Sequence, residues 1–219
     1  MINWIIAQKW SHVLFMHYEV DKSDLQSLLP EGIEVDLFQD KAYISIVPFF
    51  MSHIRFPFTP AFPFIHLWEL NLRTYVKRNG VSGIYFFTLD THDLLGEFIA
   101  TRFFHLPYRY RQMYGSYDDS KYHFKATDQI EIEALVGAPE KKGALSSWLT
   151  ERYCLFTVNK QGDIYRGDVI HDSWSLYKVE SLNYKNNFTS EFGFSRLRDP
   201  TLVSFAKEID VKFRPFVKA

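Results

Sequence analysis

The chain has a single cysteine, Cys154, among its 219 residues, so it can form no intramolecular disulfide and no all-cysteine metal site. Cys154 lies in the apolar run YCLFTV and reads as a small buried hydrophobe rather than a nucleophile. An excess of either charge sign is also lacking. The net charge of −1 carries no electrostatic footprint for nucleic acid. No run of about 18 uncharged apolar residues occurs, which excludes a membrane-crossing helix. MINWIIAQKWSHVLF has neither a basic start nor a small-residue cleavage site, so the expected compartment is cytoplasmic. Asn187-Phe-Thr matches a glycosylation acceptor, but no secretion signal accompanies it.

Several chemical signatures are absent as well. The eight histidines include no HExxH pair and no zinc-site spacing, so no metal is expected. GFSRL at 193–197 lacks the second glycine of a nucleophile elbow. There is no phosphate-cradling glycine loop and no dinucleotide fingerprint, so no cofactor is expected. Lys141-Lys142 in APEKKG reads as a solvated turn rather than a Schiff-base pair, and His171 in HDSW as a strand-end histidine with an acid–base role as the alternative.

What the chain does have is aromatics: 21 Phe, 13 Tyr and 5 Trp make up 18% of it, a content that suits strands and the walls of pockets for organic ligands. Strands are expected over 11–20, 33–37 and 42–49, near 108–126, over 129–137, in three segments between 154 and 182, and at 209–213. About four short helices are expected: after the caps Asp21 and Ser23, from Asp90 or Thr91 through Arg102 until Leu106-Pro107 closes it, in SSWLTERY, and from Pro200 to Glu208. Residues 49–66, with three prolines and no period, read as a loop packed on the core or acting as a lid or contact surface. No linker or repeat divides the chain, so 1–219 is expected to be a single domain of α+β class dominated by antiparallel strands.

The most informative stretch is WELNLRTYV, 68–76, which an Asn-Gly turn joins to GIYFFTLD, 83–90. In strand period Glu69, Asn71, Arg73 and Tyr75 share one face. The partner strand is apolar on both faces, as where a sheet is covered on both sides. A charged row on a covered face must be paired or must line a cavity, because lone buried charges are costly. Glu69 and Arg73 lie roughly 13 Å apart along the strand and cannot pair directly, so other strands must supply partners. An edge strand with its polar side in water is the alternative.

LFMHYEV (14–20), LLPEGIEVDLF (28–38), IVPFFM (46–51), WELNLRTYV, GIYFFTLD, ATRFFHLPY (100–108) and HDSW (171–174) occur in this order, and together they resemble the YqjF-like family of the acetoacetate decarboxylase-like superfamily. The resemblance implies an antiparallel β-cone or partly open barrel around a cavity. It also makes Glu69 the counterpart of a decarboxylase strand glutamate and Leu106-Pro107-Tyr108-Arg109 the counterpart of the segment bearing the Schiff-base lysine. Tyr108 then stands where the amine would be, and a phenol forms no iminium. Glu19 stands where decarboxylases tend to have an arginine for the substrate carboxylate.

The expected function is therefore binding of a small keto or carboxylic acid without Schiff-base decarboxylation. Asn71, Arg73, Tyr75, Arg102, His171 and Trp174 are the expected ligand contacts. One alternative is a cofactor-independent acid/base enzyme, lyase- or hydrolase-like, using Glu69 and Tyr108. Another is an interaction protein acting through 49–66. The partner expectation is a small molecule, and a homo-oligomer is compatible with it.

Overall fold

The computed structural model describes residues 3–61, 66–92, 106–195 and 197–219. Fourteen strands join in one sheet: β1 (Ile6–Val20), β2 (Glu34–Val35), β3 (Ala42–Arg55), β4 (Leu67–Arg78), β5 (Val81–Thr91), β6 (Tyr108–Tyr110), β7 (Met113–Asp118), β8 (Lys121–Ala126), β9 (Ile130–Glu140), β10 (Cys154–Val158), β11 (Ile164–Ile170), β12 (Leu176–Asn186), β13 (Leu202–Phe213) and β14 (Val217–Lys218). Among the described residues there are two α-helices, α1 (Lys22–Ser27) and α2 (Ala144–Thr150), and one 3-10 turn at Phe188–Phe192.

The pairings run β1–β3–β4–β5–β10–β11–β13 and return to β1, so these strands form a ring. All the pairings are antiparallel except β5 with β10 and β5 with β6. Two contacts of the ring are short. β5 and β10 meet over two residue pairs, as do β11 and β13. From β13 the sheet continues through β12, β9, β8 and β7, which fold over the outside of β1, β3 and β4.

Side-chain alternation sorts the chain between these two spaces. On β1, Leu14, Met16 and Tyr18 join the outer core with Leu70 and Leu72 of β4 and Phe124 and Ile132 of the covering strands. Val13 and Phe15 point into the ring with Val47, Phe49 and Trp174. Every residue of β4 from Leu67 to Val76 is buried, since both its faces are covered. The β4–β5 hairpin turns on Asn79 and Gly80, both at positive φ, the primed two-residue turn that keeps strand twist. On β1 the register against β3 slips between Ser11 and Met16, with His12 at φ 53, a bulge that bends the strand around the ring.

Several expectations fail here. Pro200–Glu208 is not a helix: β13 starts at Leu202 and runs to Phe213, paired with β1, β12 and β11. Its apolar residues face both cores, with Phe205 outside and Ala206 inside, and a doubly covered strand loses the alternation that marks it. The 49–66 segment is strand as far as Arg55, because Phe50, Met51 and Ser52 pair with β1, and the prolines at 57, 60 and 63 come only afterwards. Thr91 is the last residue of β5, and the helix expected to follow it falls on residues 93–105, outside the described residues. Lys142 is no free turn lysine: it is ion-paired with Glu151 and bonded to Ser173.

Candidate functional site

The ring encloses a cavity of about 360 Å³, within the usual range for small-molecule sites. Most of the side chains facing it are apolar, including Val13, Phe15, Phe49, Met51, Leu89 and Trp174. Set into this surface is the polar row of β4. Glu69, Asn71 and Arg73 are 2%, 3% and 8% exposed, and all three line the cavity. The row therefore faces inward and not toward bulk water, against the edge-strand alternative.

Glu69 has two partners. The Tyr108 hydroxyl, carried in by β6, donates to Oε2 at 2.6 Å, and Asn71 Nδ2 donates to Oε1 at 3.3 Å. Burial disfavours the carboxylate so strongly that its pKa is pushed up to about 7; the two hydrogen bonds pull the other way, and nearby Asp90 adds to the rise. Burial, together with the Glu69 charge, holds the Tyr108 phenol well above its ordinary pKa. The pair thus holds a carboxyl group able to give or take a proton near neutrality beside a phenol that stays protonated. Asp90 itself points out of the ring, where Arg109 Nε and Nη2 donate to it at 2.9 and 3.1 Å and Arg111 also bonds it.

Arg73 has no acidic partner among the described residues, and its buried Nε has no hydrogen-bond acceptor. Its guanidinium lies 5.4 Å from the centre of the Phe15 ring. Asn71 Oδ1 is likewise buried without a partner. His171 and Trp174 line the same cavity, with ring centres 5.4 Å apart. Burial lowers the His171 pKa, and its Nδ1 lies 2.7 Å from the Asp172 carbonyl oxygen.

Tyr75 continues the β4 row but does not line the cavity. Its hydroxyl contacts Ser45 Oγ at 2.7 Å and His17 Nδ1 at 3.1 Å in a fully buried cluster. His17 is held neutral, its pKa lowered well below the ordinary value by burial and by the Arg73 charge. Arg102 lies outside the described residues.

Among the charged lining residues, Arg152, just after α2, was not anticipated. It donates from Nη1 to Asp36 Oδ2 at 2.8 Å, 116 positions away, and stacks 4.1 Å over Trp148. The spacing in Trp148-Leu-Thr-Glu-Arg152 allowed that stacking to be foreseen, but no local pattern links Arg152 to Asp36. No lysine is present among the described residues lining the cavity, and no group of metal-ligating side chains occurs among the described residues. No helix of the described residues is long and apolar enough to cross a membrane.

Comparison with known proteins agrees with this architecture. The chain resembles acetoacetate decarboxylase with a TM-score of 0.72 at 10% identity, covering 98% of this chain and 89% of that one. An enduracididine biosynthesis enzyme, MppR, in its complex with pyruvate, matches with a TM-score of 0.73 at 9% identity, covering 100% and 91% of the two chains. At such identities the likeness concerns the fold alone. Uncharacterized protein YqjF of Bacillus subtilis is 36% identical over 225 residues, 98% of this chain and 93% of that protein. The model of the DUF2071 family of uncharacterized conserved proteins matches residues 7–210, and this chain belongs to that family.

Proposed function

We propose that the protein, acting as one domain, binds a small carboxylic or keto acid inside a partly open β-barrel, with the acid group on Arg73 and the apolar body against the aromatic wall. The observation that carries this reading is the buried Arg73 Nε without a partner in a mostly apolar cavity. A buried cation of this kind is costly unless an anion meets it, and a carboxylate fits the guanidinium fork. Asn71 Oδ1 offers an acceptor for a ligand donor group on the same strand. His171 and Trp174 complete the wall beside Arg73.

Schiff-base decarboxylation is not part of the proposal. Tyr108 stands where the resemblance puts the lysine segment, its hydroxyl is engaged with Glu69, and no lysine is among the described lining residues.

The test is thermal unfolding of the wild type and Arg73→Met with a panel of small carboxylic and keto acids. A binding acid at about a hundred times its Kd raises the wild-type Tm by about 5–10 °C and leaves Arg73→Met unmoved. No rise with any acid refutes the proposal.

A second reading rests on a separate observation, the Glu69 carboxyl with its pKa near 7, bonded to Tyr108. It makes the protein a cofactor-independent acid/base enzyme, in which Glu69 moves a proton on a ligand anchored at Arg73. Glu69→Gln then keeps acid binding and loses turnover.

A further inference from the structure

Arg152 lines the cavity with a guanidinium only partly engaged. Its side chain is 7% exposed, Nη1 serves Asp36, and the buried Nη2 has no partner. It lines the same cavity as Arg73, and the residues around it link the two. Its guanidinium lies 5.4 Å from the ring centre of Tyr75, two residues along β4 from Arg73. The Tyr75 hydroxyl contacts His17, which feels the Arg73 charge. His171 feels Arg73 as well and is bonded to the backbone of Arg152. Two guanidinium groups thus belong to the cavity lining, each with a buried donor that has no partner among the described residues.

The charges around the two groups are unequal. The charge of Arg152 is already met by Asp36, which also has Lys77 at 3.5 Å. Arg73 has no counter-ion among the described residues. With Glu69 protonated, the site therefore lacks one negative charge but offers donors on two separate groups. A single carboxylate satisfies both conditions, with one oxygen on Arg73 Nε and the other on Arg152 Nη2. A dianion would carry a second charge into a mostly apolar cavity, where Arg152 already has Asp36.

We propose that Arg152 is the second arm of a carboxylate clamp, and that the clamp selects monocarboxylates with an apolar body over dicarboxylates of the same length. This inference rests on the acid-binding reading above and adds a residue and a ligand class to it.

The test is calorimetric titration with straight-chain monocarboxylates and the matching α,ω-dicarboxylates, hexanoate and adipate as the first pair. Arg152→Met alone leaves Asp36 buried without its arginine, so the informative variant is Arg152→Met with Asp36→Asn, which removes the ion pair as a unit. Circular dichroism confirms that it folds. The wild type binds hexanoate at least tenfold more tightly than adipate, and the double variant loses about tenfold to a hundredfold in hexanoate affinity. Asp36→Asn alone, with Arg152 retained, does not weaken hexanoate binding. Hexanoate binding lost in Arg73→Met but unchanged in the folded double variant overturns the clamp and leaves the acid-binding reading standing. Adipate binding as tightly as hexanoate overturns the monoanion selectivity. Failure of every acid to bind the wild type overturns both readings.

Discussion

Replacing Glu69 by glutamine keeps the shape and the acceptor for Tyr108 while removing the titration, and its effect on stability must depend on pH. In the folded protein the carboxyl has a pKa of about 7, against the ordinary 4.5 expected on unfolding. Between those values the folded state holds the proton and the unfolded state releases it. The contribution of Glu69 to stability is therefore fully present below pH 4.5 and is lost as pH rises through 7. The difference between about 7 and 4.5, at about 1.4 kcal/mol per pH unit, corresponds to about 3 kcal/mol. For a chain of 219 residues that is about 6–12 °C in Tm. Thermal unfolding of wild type and Glu69→Gln from pH 4.5 to 8.5 reads it directly. The variant should gain on the wild type steadily as pH rises, and comparing the two cancels the titration of the buried histidines. A Tm difference that stays constant across this range would refute a carboxyl held neutral by burial, and with it the proton-transfer role.

Two other substitutions probe neighbouring parts of the same argument. Tyr108→Phe removes a hydrogen bond that favours the charged carboxylate, so the Glu69 titration should move above pH 7, read from the carboxyl band in infrared spectra. Gly83→Ala would set a methyl group 2.9 Å from the Cys154 carbonyl oxygen, where β5 meets β10 over two residue pairs, and should cost about 1–3 kcal/mol in denaturant unfolding.

Much of the site was legible because it lies on one strand. The period of two places Glu69, Asn71 and Arg73 on one face whatever the strand pairs with, and the doubly apolar partner strand shows that this face is covered. The clean alternation of Ile130, Ile132, Ala134 and Val136, the Asn79-Gly80 turn and the burial of Cys154 are local in the same sense. Tyr75 shows where that logic stops. It occupies the next place in the row, yet its hydroxyl is taken by Ser45 and His17 from two other strands.

What the sequence by itself determined is the set of side chains that had to face inward, because strand geometry assigns faces without reference to the rest of the chain. Only the tertiary structure decided what they meet there. Closure of the ring by β13 turned an expected helix into a wall, since pairing with three strands along its two edges outweighs a pattern that is apolar on both faces. The Arg152–Asp36 pair spans 116 positions, and the side chain it leaves half-engaged beside Arg73 follows from packing across the ring, which no local spacing encodes.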